Sequence, residues 1–348
     1  MEVKKRGLWA LAALLLAVLT VRLIFKNSAE LSPEELLRTL ESASPVWLVT
    51  AIFCMLGFIW FEGKAILVIL EGIGSPRSNF RGLVYGASDI YFSAITPSAS
   101  GGQPASAYFM IRDGISHATT TAVLLLNLVM YTLAIVSIAL VCIIFRFPVF
   151  YRFSLFSKFL ILIGFAALSG LAVMFILLLK KQRLIFGACR RIIRFLASHD
   201  WIRNSEKKIE KLNQAQDEYA YCVRLMSGHT AMLLKAYLYN LIQRLCQFVL
   251  IICVYMAIGG NASHIADLFA TQCCIILGSN CVPVPGAIGV ADYLMLDGYT
   301  QMFDRTMAFN LEMIGRSLSF YICVLVSAVI TLYAYLKIHT SGKRGLKS

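Results

Sequence analysis

Two apolar stretches of this chain are interrupted by paired prolines and glycines, and few folds tolerate that. The first interruption reads Ile95-Thr96-Pro97-Ser98-Ala99-Ser100-Gly101-Gly102-Gln103-Pro104, the second Val282-Pro283-Val284-Pro285-Gly286-Ala287-Ile288-Gly289. Each unpaired backbone amide in hydrocarbon costs several kcal/mol, so unwound backbone persists at membrane depth only where protein covers it or water reaches it. Breaks of this kind, one in each half of a chain, point to a substrate pathway.

The membrane setting follows from composition. With 59% hydrophobic and 15% charged residues over 348 positions, the chain is far more apolar than soluble domains. It reads as an all-α polytopic membrane protein, a single integral membrane domain over 1–348. Stretches long enough to cross about 30 Å of hydrocarbon lie near 7–25, 46–70, 117–145, 158–179, 229–258 and 311–337. The first imitates a signal peptide behind Lys4, Lys5 and Arg6. It has full spanning length and no small-x-small cleavage site, so it is read as the first of six crossings.

Between them, 83–111 and 266–304 each contain a break and are too short on either side of it to span. Each is either a re-entrant hairpin that leaves where it entered or a pair of tilted crossings; sequence leaves both open.

The net charge of +13 raises nucleic acid as a partner, but no zinc-finger or RNA-binding motif accompanies it. The basic residues instead fall between apolar runs. Segments 1–6, 71–82, 112–116, 180–228 and 337–348 hold 21 Lys and Arg, against six in the alternate segments. By the positive-inside rule both termini face the cytoplasm, and the two broken elements open from opposite sides, an inverted topology. One connection, with Arg146, Arg152 and Lys158, runs against the pattern. Ser93 and Pro97 recur as Ser279 and Pro283, both offset by 186. The stretch 180–228 is a basic amphipathic cytoplasmic segment between the halves, suited to anionic headgroups.

Ten cysteines lie mostly inside apolar runs and lack metal-ligand spacing, so they read as small core residues, with no metal and no cofactor. The five histidines sit apart without a nucleophile pattern, and no catalytic residue is assigned.

The chemistry on offer is at the breaks. A half-helix starting at membrane depth presents unpaired amides and about half a positive charge, which suits phosphate or carboxylate. Pro104 is expected at its first position. Gly101 and Gly102 allow close approach, and Thr96, Ser98, Ser100 and Gln103 add polar side chains. At the second break Gly286 and Gly289 give flexibility, and Asp292 lies just inside the next half-helix. Ionisable residues within crossings are functional candidates by default: Glu62, Asp89, Arg244, and the i, i+4 pair Glu312 and Arg316. Arg244, beside Gln243 and Gln247, either holds a phosphate or pairs with Glu62 or Asp89. Asn127 reads as an interhelical hydrogen-bonding residue.

The string from Ser93 to Pro104, followed downstream by Pro283-Val284-Pro285-Gly286-Ala287-Ile288-Gly289-Val290, resembles the transmembrane region of lysylphosphatidylglycerol synthase/flippase proteins, over roughly 7–337. The family tends toward Pro-Gly-Gly-Ile-Gly and then an acidic residue; here Ala287 replaces a glycine and Asp292 stands where glutamate is common. The resemblance implies flipping of an aminoacylated or otherwise modified anionic phospholipid across the bacterial cytoplasmic membrane, with resistance to cationic peptides. In full-length relatives a cytosolic domain transfers lysine from lysyl-tRNA to phosphatidylglycerol. The stretch to Ser348 leaves no room for it, so the expectation is a translocase acting beside a separate synthase, as a monomer or an oligomer. The alternatives are a membrane-embedded lipid-modifying transferase or its accessory subunit, and a small-solute transporter.

Overall fold

The computed structural model describes residues 33–198, 229–280 and 282–344, with isolated positions between 206 and 216. In chain order the helices are Pro33–Ser42 (α1), Pro45–Gly72 (α2), Asn79–Ile95 (α3), Gly102–Arg112 (α4), His117–Arg146 (α5), Pro148–Arg152 (α6) and Leu155–Ser198 (α7). The second half holds Thr230–Ala257 (α8), Ile265–Asn280 (α9), Val290–Thr300 (α10), Arg305–Arg316 (α11) and Cys323–Arg344 (α12). Single 3-10 turns at Pro97–Ala99 and Pro285–Ala287 occupy the two breaks, and a π-helical turn at Ser317–Ile322 joins α11 to α12.

Among the described residues there are no strands, and five helical stretches are long and apolar enough to cross a membrane: Pro45–Gly72, His117–Arg146, Leu155–Phe175, Thr230–Ala257 and Arg305–Lys337. They coincide with five of the six expected crossings; the sixth, 7–25, lies outside the described residues. Their outward faces carry large bare side chains, Leu155 at 85% and Phe145 at 74% exposure among them. On a soluble protein such a surface would aggregate, whereas on a spanning helix it faces lipid.

Both broken elements are hairpins, which settles the choice the sequence left open. At the open end of the first, Arg81 Nη1 lies 2.7 Å from Asp113 Oδ1, the Tyr85 hydroxyl donates to the same carboxylate, and Arg77 donates to the Asp113 carbonyl. The start of α3 is thereby fastened to the end of α4. In the second hairpin, the Tyr299 hydroxyl near the end of α10 donates to Gln272 in α9 at 2.9 Å, and the Thr271 hydroxyl lies 3.3 Å from the Met302 sulfur.

The two hairpins enter from opposite ends. Phe80, at the base of the first, packs edge-on to Tyr333 of α12. At the base of the second, Asp267 meets Arg146 and Arg152, and Tyr255 of α8 stacks on Phe303. The antiparallel order of the crossings puts residues 72–82, 112–117 and 333–337 at one end and 42–45, 146–155, 257–265 and 300–305 at the other. At 1.5 Å per residue α3 and α9 each reach roughly 24 Å inward, past mid-depth. There the Pro97–Ala99 turn packs against the Pro285–Ala287 turn.

This inverted arrangement has a register visible in the element boundaries. Helices α2 and α8 are both 28 residues and start 185 apart; α3 and α9 start 186 apart. After the breaks, Pro97 and Pro285, the 11-residue α4 and α10, and the starts of α5 and α11 are each 188 apart. The Ser93–Ser279 match therefore belongs to this register, but the partner of Pro97 is Pro285 rather than Pro283, because the second break carries two extra residues. The matched turns also share a backbone strain: Ala99 has φ 53° and Ala287 φ 50°, the left-handed region that disfavours a Cβ. A glycine at 287 would remove that penalty, so Ala287→Gly should stabilise by about 0.5–1 kcal/mol, roughly 2 °C in thermal midpoint, whereas Ala287→Val should lower it. Thermal unfolding in detergent measures both.

Close backbone approach holds the first hairpin on α2. A Cβ on Gly63 would come within 2.3 Å of the Gly82 carbonyl oxygen, and one on Gly86 within 2.7 Å of the Gly63 nitrogen. Gly82 and Gly86 form the small-xxx-small spacing that lets membrane helices touch.

One expectation is revised. Helix α4 begins at Gly102, so Pro104 stands at its third position, not its first; its missing N–H is still one of the orphan donors of a first turn. The first part of the basic stretch continues α7, which runs unbroken from Leu155 to Ser198. Most of 199–228 lies outside the described residues.

Candidate functional site

The expected site residues fall into three groups around the tips of the hairpins. The first lies within the first hairpin. Asp89 of α3 accepts from the Ser93 hydroxyl at 3.1 Å and from Gln103 Nε2 at 3.3 Å. Gly102 permits this closeness: a Cβ there would stand 1.9 Å from Asp89 Oδ1 and 2.1 Å from Ser93 Oγ. The Thr96 hydroxyl donates to the Phe92 carbonyl at 2.6 Å and accepts from the Gly101 N–H at 2.8 Å, so it caps the break. No side chain caps the start of α4 at Gly101, but the Asp89 carboxylate lies against its first turn. The helix end expected to stand open to an anion thus already has an acidic side chain beside it. Ser100 is exposed; the Ser98 side chain lies outside the described ones.

The second group joins three crossings. Glu62 of α2, 5% exposed, accepts from Asn127 Nδ2 of α5 at 2.9 Å and from Gln243 Nε2 of α8. Asn240 Nδ2 donates in turn to Asn127 Oδ1 at 3.0 Å. Arg244 Nη2 donates to Gln243 Oε1 at 3.2 Å and Nη1 to Gln247 Oε1 at 2.9 Å. The guanidinium stacks between Tyr131, 4.3 Å from the ring centre, and Phe58, 5.0 Å. Arg244 is 7% exposed, and its Nε has no hydrogen-bond partner. Among the described residues no carboxylate lies within ion-pairing distance of it. Arg244 forms no direct ion pair with Glu62 or Asp89: Gln243 bridges it to Glu62 and Asp89 is hydrogen-bonded within its own hairpin, although both carboxylates lie close enough to act on its charge.

The third group closes the second break. Arg316, 9% exposed, lies with Nε 2.8 Å from Asp292 Oδ1 and donates from Nη2 to the Gly286 carbonyl at 2.7 Å. Its guanidinium sits 4.4 Å from the Phe320 ring centre. Asp292 also accepts from the Gly289 N–H at 2.7 Å, holding the start of α10. Gly286 and Gly289 have φ 60° and 81°, and a Cβ at Gly286 would overlap Phe320 at 2.2 Å. The i, i+4 pairing of Glu312 with Arg316 does not form. Arg316 reaches across to α10 instead, and Glu312 is 6% exposed beside it.

Helix lengths put all three groups near mid-depth. Glu62 and Asn127 each lie ten residues, about 15 Å, inside one end, and Arg316 eleven residues, about 17 Å, inside the other. Sequence reasoning missed Asn240 as the partner of Asn127, and Tyr131 and Phe58 as the partners of Arg244, because only helix rotation brings them together; it also missed Phe320, which helical spacing four residues after Arg316 could have shown. The arrangement combines a buried guanidinium with an unspent donor, a half-buried carboxylate at Asp89 and a strained, polar main-chain junction.

No curated protein matches the chain. A family model described as "Lysylphosphatidylglycerol synthase TM region" matches residues 9–327. With crossings, paired hairpins and most of the chain accounted for by that match, this protein belongs to the family of the lysylphosphatidylglycerol synthase transmembrane region.

Proposed function

We propose that the chain is a phospholipid translocase of the bacterial cytoplasmic membrane. It moves an aminoacylated or otherwise modified anionic phospholipid between leaflets, contributing to resistance to cationic antimicrobial peptides. The observation that carries this reading is the meeting of two oppositely directed hairpin tips at mid-depth, beside a buried arginine that makes no direct ion pair with a described carboxylate. Buried charges in a bilayer are expensive and persist where they serve a ligand or a partner. Arg244 receives the headgroup phosphate through its spare donor, as guanidinium groups do. Asp89, half-buried at the first tip, receives the amino group, and the acyl tails stay in lipid. The end of the bundle with residues 72–82 and 112–117 faces the cytoplasm, because it carries the denser positive charge. A separate synthase supplies the lipid.

The test uses sealed vesicles containing lysylphosphatidylglycerol or phosphatidylglycerol with a reporter on the headgroup, and follows outer-leaflet accessibility over time. Vesicles with the protein should equilibrate the leaflets. Gly102→Leu, which forces atoms into the space held by Asp89 and Ser93, should slow this at least about tenfold, or more than about 1.4 kcal/mol in barrier. Protein that leaves leaflet distribution unchanged while new lipid species appear by mass spectrometry would instead favour the transferase reading.

A further inference from the structure

An apolar cavity of about 120 Å³ lies away from the hairpin tips, between α5, α6, α7 and α9. Ala139, Ile143, Leu162, Phe165 and Cys274 are among its walls, and Arg146 stands on its rim. Its surroundings face lipid: Leu162 is 55% exposed and Ile144 72%. On the inner side α7 and α9 touch main chain to main chain, since a Cβ at Gly164 would stand 1.8 Å from the Leu277 carbonyl oxygen.

The rim has more positive charge than its partner can balance. Arg146 Nη1 and Arg152 Nη1 lie 3.3 and 2.8 Å from the two oxygens of a single carboxylate, Asp267. Both arginine side chains are about half exposed, at 52% and 42%. They belong to the short connection that runs against the positive-inside pattern. Phe147, Phe150 and Tyr151 pack on one another beside them, as aromatic residues do at headgroup level.

We propose that this cavity holds a segment of one acyl chain of a resident anionic phospholipid whose phosphate sits on Arg146 and Arg152, the rest of the chain lying in the bilayer. An apolar slot open to the bilayer gains contacts when hydrocarbon fills it and gains nothing from water. Two guanidiniums sharing one carboxylate leave a net single positive charge, which matches a lipid of net charge minus one and not a zwitterion. The lipid wedges α7 against α9, the helix that leads into the second break. The misplaced basic residues thereby acquire a ligand. This site is separate from the hairpin tips and does not rest on the translocation reading.

The test is native mass spectrometry of the full chain, delipidated in detergent and offered phosphatidylglycerol or phosphatidylcholine with identical acyl chains. Phosphatidylglycerol should be retained about tenfold better. The double variant Arg146→Gln/Arg152→Gln should lose that preference, and Leu162→Trp, at a lipid-exposed position, should reduce retention by filling the slot. Asp267→Asn separates ligand loss from ion-pair loss: it breaks the same ion pairs but frees both arginines, so retention should hold or rise. Equal retention of the two lipids, indifference to Leu162→Trp, or loss in Asp267→Asn matching the double variant would each overturn the proposal.

Discussion

Arg316→Ala is expected to stop lipid translocation and to destabilise the second hairpin by about 2–4 kcal/mol, the range for removing one partner of a largely buried ion pair. Arg316 ties three things together: the Asp292 carboxylate at 2.8 Å, the Gly286 carbonyl at 2.7 Å and the Phe320 ring. Without it, a carbonyl at the unwound tip and an acidic side chain near mid-depth both lose their counterpart. The Asp292 side chain is 24% exposed, so water recovers part of the loss, which sets the figure below that for a sealed pair. Arg316→Lys should fall between, since an ammonium can meet the carboxylate or the carbonyl but lacks the planar fork that serves both. Denaturation in detergent and the vesicle assay read the two effects separately.

Glu62→Gln should have the next largest effect for so small a change. Both carboxylate oxygens of Glu62 accept, one from Asn127 and one from Gln243. Neither amide can turn round to suit a glutamine. The Asn127 oxygen is taken by Asn240 and the Gln243 oxygen by Arg244. An amide at position 62 therefore sets donor against donor inside the bilayer, costing about 1–3 kcal/mol. The disturbance is transmitted through Gln243 to Arg244, so translocation should fall along with stability. Arg244→Ala should behave differently: it removes the proposed phosphate ligand and should abolish translocation even at temperatures where the variant stays folded.

The crossings were legible in the sequence because hydrophobic length is a property of each segment alone, and the breaks because proline and glycine mark unwound backbone wherever they cluster; that each broken element turns back as a hairpin was not, since a break looks the same in a tilted pair of crossings. The repeat was legible only in part. Ser93 and Ser279 gave the right offset before the breaks, yet the two additional residues in the second break shifted the prolines, and only the backbone turn at Pro285–Ala287 identifies the true counterpart of Pro97. Ionisable residues stood out because apolar surroundings are improbable places for them. Their partners did not, since Glu62 and Gln243 are 181 residues apart and meet only through the rotation of packed helices. Thr96 was read as a ligand for what comes from outside, but its hydroxyl is spent on its own break. The spacing of Gly82 and Gly86 was present in the sequence and is the feature a closer reading of small residues would have found.

Translocation as proposed requires the two tips to form one water-accessible chamber that admits a lipid headgroup. Single cysteines at Ser100, exposed at the first tip, and Ala287, partly exposed at the second, placed in a variant whose ten native cysteines are replaced by serine, probe it directly. In sealed vesicles both should react with a membrane-impermeant maleimide, and added lysylphosphatidylglycerol should protect both together. Failure of either position to react, or protection of one without the other, would contradict a shared chamber.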